Sequence, residues 1–194
     1  MLPESLADRL SAYLDLLFRW NRKINLTALD SLDDAVDRLL LEPLVAARHV
    51  QSSTGRLIDL GSGGGSPAIP LALALPELEL VMVEAKARKA AFLREAVRVL
   101  ELRRATVESG RFEEMLDRPD QRGAYSAVSV RAVRLEAAAI RRIAGFLCLG
   151  GSLLLFRGPS GPDRLADVPP LGWSATYPLV ESLGSRLTIF RRGE

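Results

Sequence analysis

Residues 57–70 constrain this chain more than any other segment, because they join a short apolar run and an acid to a cluster of glycines. The run suits a β-strand over residues 56–60, and the glycines allow positive φ angles and a close approach of a ligand to the backbone. A helix that opens after such a turn points free N–H groups and its positive dipole end at the ligand. The pattern predicts a nucleotide-type cofactor site at the carboxyl end of a first strand.

The composition excludes several classes of protein. A chain of 194 residues that is 48% hydrophobic can bury a core as one domain, and none of its apolar runs approaches the roughly 20 residues that cross a bilayer. One cysteine, Cys148, and one histidine, His49, exclude an internal disulfide and a cysteine- or histidine-rich metal site. The first residues lack a basic region followed by an apolar one. We therefore expect a soluble, cytoplasmic protein that binds no metal and no membrane, and we take a monomer as the default.

The positive charge is small and is carried mainly by arginine. The formal net charge is +2, and lysine occurs only at Lys23, Lys86 and Lys89. Arginine forks suit phosphate groups, whereas the acids interleaved among them favour ordinary solvated surfaces. The sequence therefore favours a solvated surface for any one arginine cluster and leaves RNA contact open for the whole set.

Two helices are predicted before the glycine turn. Apolar residues recur at helical spacing over residues 6–17, and residues 20–27 favour a turn. Ser31 can cap a second helix that runs to Ala47, and Pro43 is expected to kink it.

Strand and helix patterns then alternate. Predicted strands occupy residues 56–60, 78–83, 105–108, 125–130 and 152–156, predicted helices occupy residues 67–75, 86–100, 112–116 and 135–147, and Gly150 and Gly151 turn the chain into the fifth strand. A terminal hairpin follows, with strands at 173–180 and 186–190.

Repeated strand–helix units imply a mostly parallel sheet with helices on both faces. The terminal strand pair is typical of the α/β methyltransferase Rossmann-like sheet, whose last strand is antiparallel. We predict a single domain over residues 1–194, with a helical extension at 1–54 and the catalytic sheet at 55–194.

The acid at the end of the second strand narrows the choice of cofactor. There the carboxylate of Glu84 can accept both ribose hydroxyl hydrogens; alternatively, Glu84 is an exposed strand end that is followed by a helix cap. Dehydrogenases use such an acid too, but their fingerprint requires glycine or alanine where this chain has Ser66. Asp59, just before Gly61, fits the methyltransferase form better, in which this acid orders the turn or the methionine ammonium.

Several motifs together resemble the small-subunit ribosomal RNA methyltransferase G family (RsmG, also called glucose-inhibited division protein B). They are the segment YLDLLFRWNRKINLTA at residues 13–28, and residues 59–70, 83–85, 89–95, 110–114 and 131–133. The resemblance covers most of the chain. It implies transfer of a methyl group from S-adenosylmethionine to N7 of a guanine in the 530 loop of 16S rRNA, with 16S rRNA or the small ribosomal subunit as the partner.

The cofactor-binding candidates are Asp59, Gly61, Gly63, Gly65, Ser66, Glu84, Phe112, Glu113 and Arg131. By resemblance, the backbone at Gly61 contacts the methionine part of the cofactor, and Ser66 follows the turn where the family usually has a larger apolar residue. Phe112 and Glu113 lie where the family contacts adenine. Arg131 matches the family's cofactor-contacting arginine and is the catalytic candidate, binding the methionine carboxylate or guanine O6. The alternative for Arg131 is a surface ion pair.

This chain departs from the family pattern in two places. The second helix has Glu42-Pro43 where the family usually has Asp-Ser, and it lacks the family's histidine; the turn has Ser66 and Ala68 where the family prefers a bulkier residue and glycine. Four interpretations stay open: an rRNA guanine-N7 methyltransferase, a methyltransferase on another RNA or a small molecule, a non-catalytic RNA- or cofactor-binding relative, and a nicotinamide enzyme.

Overall fold

Seven strands of the described residues form one sheet in the order β3-β2-β1-β4-β5-β7-β6. The computed structural model describes residues 3–29, 31–51, 54–131 and 137–193. The strands are β1 (Arg56–Leu60), β2 (Glu79–Glu84), β3 (Ala105–Ser109), β4 (Tyr125–Arg131), β5 (Leu147–Arg157), β6 (Leu171–Pro178) and β7 (Arg186–Arg192). Strands β1 to β5 are parallel, and β7 runs antiparallel to both β5 and β6. The predicted α/β class and the antiparallel last strand are confirmed.

The helices precede the sheet and connect its strands. Within the described residues they are α1 (Glu4–Asn21), α2 (Leu32–Ala35), α3 (Glu42–Ala47), α4 (Ala68–Ala74), α5 (Ala87–Val99), α6 (Phe112–Met115) and α7 (Ala137–Ile143). A π-helical turn, Val36–Leu41, joins α2 to α3, and short 3₁₀ turns occur at Pro119–Gln121, Ala144–Phe146 and Glu181–Leu183. Among these described helices, none is long and apolar enough to cross a bilayer.

Each face of the sheet carries its own apolar core, because successive strand side chains alternate between faces. Leu57 of β1 packs in the cluster that holds Leu17 of α1 and Phe92 of α5. Its neighbour Ile58 packs on the opposite face with Phe146. Each such fully buried side chain stabilises the fold by about 2 kcal/mol. The first cluster fixes α1 against the glycine turn, so the helical extension helps to build the site.

The second predicted helix is interrupted by a π-helical turn rather than continuing as one α-helix. Ser31 caps its start as expected, since its Oγ accepts a 3.0 Å hydrogen bond from the Asp34 N–H. The Glu42 N–H bonds to the Asp37 carbonyl, and Pro43 has no N–H to donate. The Arg38 carbonyl is therefore left for a partner outside the helix.

The boundary between α7 and β5 differs from the prediction. The helix predicted over 135–147 appears as α7, beginning at Ala137, followed by a 3₁₀ turn; residues 135 and 136 lie outside the described residues. Strand β5 already begins at Leu147, which pairs with Tyr125, and the next pair joins Ala127 to Ser152. Residues 148–151 therefore bulge out of the ladder at the predicted Gly150–Gly151 turn.

Candidate functional site

A cavity of about 530 Å³ opens at the carboxyl ends of the central parallel strands. Its wall includes Gly61 after β1, Arg131 at the end of β4 and Arg157 at the end of β5. The chain that follows α1 and the π-helical turn close the other side, with Leu26–Leu29 and Arg38–Leu39. Ligands of open parallel sheets bind at this edge, so the cavity lies where the sequence predicted the site.

The glycine turn needs its glycines at particular positions. Gly61, Gly63 and Gly65 have φ angles of 75°, 52° and 87°, which side chains rarely adopt. A Cβ on Gly65 would lie 2.5 Å from the Cδ1 of Ile69, at the start of α4. Gly61 and Gly63 line the cavity, whereas Gly65 packs beneath it.

Two contacts join the glycine turn to the helical extension. The buried Tyr13 hydroxyl donates a 2.7 Å hydrogen bond to the Gly64 carbonyl, and burial raises the pKa of Tyr13 well above its ordinary value. The Ser66 hydroxyl donates a 3.0 Å hydrogen bond to the Leu39 carbonyl. Ser66, a predicted cofactor residue, therefore also fixes the π-helical turn to the cavity wall.

The carboxylate of Glu84 holds the glycine turn through hydrogen bonds to backbone N–H groups. It accepts the Gly63 N–H at 2.9 Å and the Lys86 N–H at 2.8 Å. The Lys86 N–H belongs to the residue that precedes α5, so neither bond satisfies a free N–H of the first turn of that helix. Glu84 is also buried rather than an exposed strand end. Each of its carboxylate oxygens keeps a second lone pair that a ribose hydroxyl can use. Glu84 does not itself line the cavity.

Asp59 is buried under the turn rather than exposed to the cavity. Its carboxylate accepts a 2.5 Å hydrogen bond from the Ser129 hydroxyl of the neighbouring strand β4, and its carbonyl accepts one from Ser62 at 3.1 Å. Burial raises the pKa of Asp59, against the Ser129 and Ser62 hydrogen bonds, which lower it. This placement suits a residue that orders the turn.

Arg131 is held by three groups at once. Its Nη1 donates to the Arg38 carbonyl at 2.5 Å, its Nη2 lies 2.8 Å from a carboxylate oxygen of Glu42, and its guanidinium carbon lies 4.8 Å from the centre of the Phe156 ring. The Arg131 and Glu42 side chains are 18% and 8% exposed, so the pair is largely buried. Burial lowers the pKa of Arg131, and the nearby Glu42 opposes that shift. Nε and Nη2 make no hydrogen bond within the part of the chain that the structure describes.

Phe112 and Glu113 lie at the start of α6 and are not among the residues that line the cavity. Phe112 is half-buried against the core cluster of the opposite face, and the Glu113 carbonyl accepts a long 3.5 Å hydrogen bond from Arg142. The structure thus brings Gly61, Gly63, Ser66 and Arg131 together around the cavity. Asp59, Gly65 and Glu84 lie beside or beneath the turn.

Comparison with known proteins identifies the family. A family model described as "GidB: rRNA small subunit methyltransferase G" matches residues 6–168. The chain belongs to this family. A ribosomal RNA small subunit methyltransferase G of Xanthomonas euvesicatoria is 39% identical over 99% of this chain and 90% of its own length. The namesake of Halorhodospira halophila is 36% identical over 84% of this chain and 74% of its own length.

Solved structures share the fold of this rRNA methyltransferase G family member at low identity. A putative O-methyltransferase from Klebsiella pneumoniae has a TM-score of 0.68 at 17% identity and covers 100% of this chain and 92% of its own. A mutant of MtNAS solved in complex with S-adenosylmethionine has a TM-score of 0.64 at 13% identity, covering 97% of this chain and 78% of its own. These likenesses show the methyltransferase Rossmann-like fold.

The sequence did not single out every residue that builds the site in this family member. Tyr13 was noted only as part of the first helix and the family motif, and Asn21 only as part of that motif and of the predicted turn. In the structure Asn21 Oδ1 accepts the N–H groups of Leu26 and Thr27 at 2.8 and 3.0 Å and shapes that turn. Glu42 was noted only as a departure from the family pattern. An acid inside an apolar helical run was the available signal, since buried acids need a partner.

Metal binding has no support within the described residues. No three histidine, cysteine, aspartate or glutamate side chains among residues 3–29, 31–51, 54–131 and 137–193 are grouped so as to hold a metal ion.

Proposed function

We propose that this chain transfers a methyl group from S-adenosylmethionine to N7 of a guanine in the 530 loop of 16S rRNA. The observation that carries this proposal is the cavity beside the glycine turn, at the ligand-binding edge of the sheet, in a member of the rRNA small subunit methyltransferase G family.

The residues present fit an S-adenosylmethionine molecule in two respects. The turn at Gly61 and Gly63 leaves its backbone open to the cavity, with positive φ angles that a side chain would strain. Arg131 is a buried cation at the same wall with donor atoms that lack hydrogen bonds among the described residues, and its Nη1 carries a second N–H besides the one given to Arg38. In this proposal the backbone at Gly61 contacts the methionine part, and Gly63 and Ser66 complete the wall around the cofactor. Gly65 and Asp59 support the turn from beneath, and Glu84 accepts the ribose hydroxyls. Phe112 and Glu113 are assigned to the adenine end.

The reaction needs alignment rather than a general base. S-adenosylmethionine supplies a methyl group on a positively charged sulfur, which makes the methyl a strong electrophile. Guanine N7 carries an in-plane lone pair and loses no proton when it is methylated. The chain's own part is to hold N7 in line with the methyl and sulfur, and proximity of this kind contributes several kcal/mol, up to about 10. Arg131 binds the methionine carboxylate or guanine O6 and leaves N7 uncovered.

The charges at the cavity suit a nucleic acid substrate. Arg38, Lys89 and Arg157 line it together with Arg131, and arginine and lysine side chains position phosphates. We infer that these groups meet the backbone of 16S rRNA, alone or in the small ribosomal subunit, in the cytoplasm. We also propose that the chain acts as a monomer, with residues 1–54 and 55–194 forming one domain.

The test compares 16S rRNA from cells with and without the gene for this chain. Mass mapping is expected to find N7-methylguanine in the 530 loop only when the gene is present. Calorimetry on the purified protein is expected to show S-adenosylmethionine binding. If the cofactor binds and the rRNA is unchanged, the chain is a methyltransferase on another substrate or a non-catalytic relative. If it does not bind, the assignment of the cavity is wrong.

A further inference from the structure

Glu42 is the acidic side chain among the residues that line the cavity, where the other charged side chains are Arg38, Lys89, Arg131 and Arg157. Its side chain is 8% exposed, and one of its carboxylate oxygens lies 2.8 Å from the Nη2 of Arg131. A buried carboxylate is costly unless it is paired and its lone pairs are used. The ion pair with Arg131 offsets part of that cost and leaves most of the acceptor capacity of Glu42 free.

The surroundings of Glu42 hold this acceptor in place. Arg131 stands behind it at 2.8 Å and is itself fixed by the Arg38 carbonyl and the Phe156 ring. That carbonyl is available because Pro43 provides no N–H and the Glu42 N–H bonds to Asp37. The π-helical turn thus serves both residues: it presents the carboxylate at the cavity wall and anchors its counter-ion.

Guanine offers a matching edge. Its N1–H and its 2-amino group are adjacent donors, and a carboxylate has two adjacent acceptor oxygens. Adenine has a lone pair at N1 instead, which would face the negative carboxylate. Methylation at N7 uses the opposite side of the purine ring system, so the N1 edge stays free to be recognised during the reaction.

We propose that Glu42 is a specificity residue that accepts hydrogen bonds from N1–H and the 2-amino group of the target guanine, with Arg131 as its positioning counter-ion. This inference rests on the proposed function and deepens it, because it names the group that distinguishes guanine from adenine. It requires that the pair remain intact when the substrate is bound, so that Arg131 meets the methionine carboxylate or guanine O6 with its remaining donors.

The test uses small ribosomal subunits from cells that lack the gene, carrying either guanosine or adenosine at the target position. Glu42→Gln removes the charge and can turn its NH₂ toward adenine N1. We expect its kcat/KM on guanosine subunits to fall about 10- to 100-fold, since each hydrogen bond to a charged group contributes about 1.5–3 kcal/mol. Its preference for guanosine over adenosine should fall further. This ratio tests Glu42 separately from cofactor binding, because a displaced Arg131 would slow the reaction on both kinds of subunit alike. Glu42→Asp keeps the carboxylate and should retain the preference.

Three results would overturn the inference. The first is an equal loss on guanosine and adenosine subunits with weaker cofactor binding, which would make Glu42 a positioning residue for Arg131. The second is a Glu42→Asp variant that has lost the preference as fully as Glu42→Gln. The third needs no variant and is therefore independent of folding: a wild-type protein that methylates adenosine subunits as fast as guanosine subunits. A wild-type protein that is inactive on guanosine subunits would instead reject the proposed function itself.

Discussion

The Tyr13 hydroxyl donates a 2.7 Å hydrogen bond to the carbonyl of Gly64, and so joins the first helix to the glycine turn. Tyr13 is fully buried, and a Cβ on Gly64 would lie 3.3 Å from the Leu26 carbonyl and 3.4 Å from Leu17. The helical extension therefore packs so closely on the turn that a side chain at Gly64 would crowd it. Substitutions in the extension should alter binding at the cofactor site.

Tyr13→Phe tests this connection. Removing the hydroxyl leaves the Gly64 carbonyl without that donor, which should cost about 1–2 kcal/mol of unfolding free energy and lower the Tm by about 2–8 °C. We also expect a severalfold higher Kd for S-adenosylmethionine by calorimetry, because the turn is less well held. The matched control is Tyr177→Phe, where the exposed ring stacks on His49 at 3.8 Å and should be nearly unaffected. Equal effects of the two variants would contradict the connection.

Gly65→Ala probes the glycine turn itself. The new methyl group would meet the buried Ile69 side chain at 2.5 Å and would impose a side chain on a φ angle of 87°. Overpacking and the left-handed backbone together should cost about 2–4 kcal/mol, measured by chemical denaturation. Gly172→Ala is the control, since it meets nothing within 4 Å and should change stability by less than about 0.5 kcal/mol. A Gly65→Ala protein as stable as the control would show that the turn relaxes freely.

Local patterns were enough to predict the strands and the turn, but not the pairs that complete the site. The apolar run of β1 ends at the glycines, so its bounds, Arg56–Leu60, were predicted without error. The start of β5 at Leu147 was not predicted, because it depends on the pairing of Leu147 with Tyr125 of the neighbouring strand, which a local pattern does not show. The partner of Arg131 was not predicted either. Glu42 lies on a helix that is far away in the sequence, and only folding brings its carboxylate oxygen to 2.8 Å from the Nη2 of Arg131.

Glu84→Gln distinguishes ribose binding from turn shaping. The amide keeps one acceptor oxygen, but its NH₂ group then faces the N–H of either Gly63 or Lys86, so one of the two hydrogen bonds is lost. We therefore expect S-adenosylhomocysteine to bind about tenfold more weakly in calorimetry. The deciding probe is its 2′-deoxy analogue. If Glu84 holds the ribose, removal of that hydroxyl weakens binding to the wild type more than to the variant. The same loss in both proteins would assign Glu84 to the turn alone.

Arg131→Ala should impair folding as well as turnover, because it leaves the buried Glu42 carboxylate without its counter-ion. The expected loss is about 3–5 kcal/mol of unfolding free energy. The double variant Glu42→Leu with Arg131→Met replaces both charges with apolar groups and should recover most of that stability. If Arg131 contacts the methionine carboxylate or guanine O6, the double variant remains inactive in methyl transfer. If the double variant recovers activity as well as stability, Arg131 has only a structural role, as the partner of Glu42 in an ion pair.

Asp59→Asn tests the buried carboxyl beneath the turn through its pH dependence. Burial raises the native pKa of Asp59 above its ordinary value of 3.8, so between these two values the native protein binds more protons than the unfolded chain. Its stability must then fall as the pH rises through that window, and the cost of the ionised carboxylate is fully present above the native pKa. The asparagine does not titrate, yet its oxygen can still accept the Ser129 hydrogen bond.

Urea denaturation of both proteins from about pH 4 to about pH 8 measures this difference. The Asp59→Asn protein should be the more stable one at neutral pH, by a margin that grows with rising pH and then becomes constant. A margin that does not change with pH would mean that Asp59 titrates alike in the native and unfolded states. Because Asp59 does not line the cavity, the variant should bind S-adenosylmethionine within about threefold of the wild type. Two hydrogen bonds of the turn remain, since the Ser62 hydroxyl still donates to the carbonyl at position 59 and the Gly63 N–H still donates to Glu84. A larger loss of affinity would indicate that the charge of Asp59 binds the methionine ammonium, which is the other role that the sequence allows.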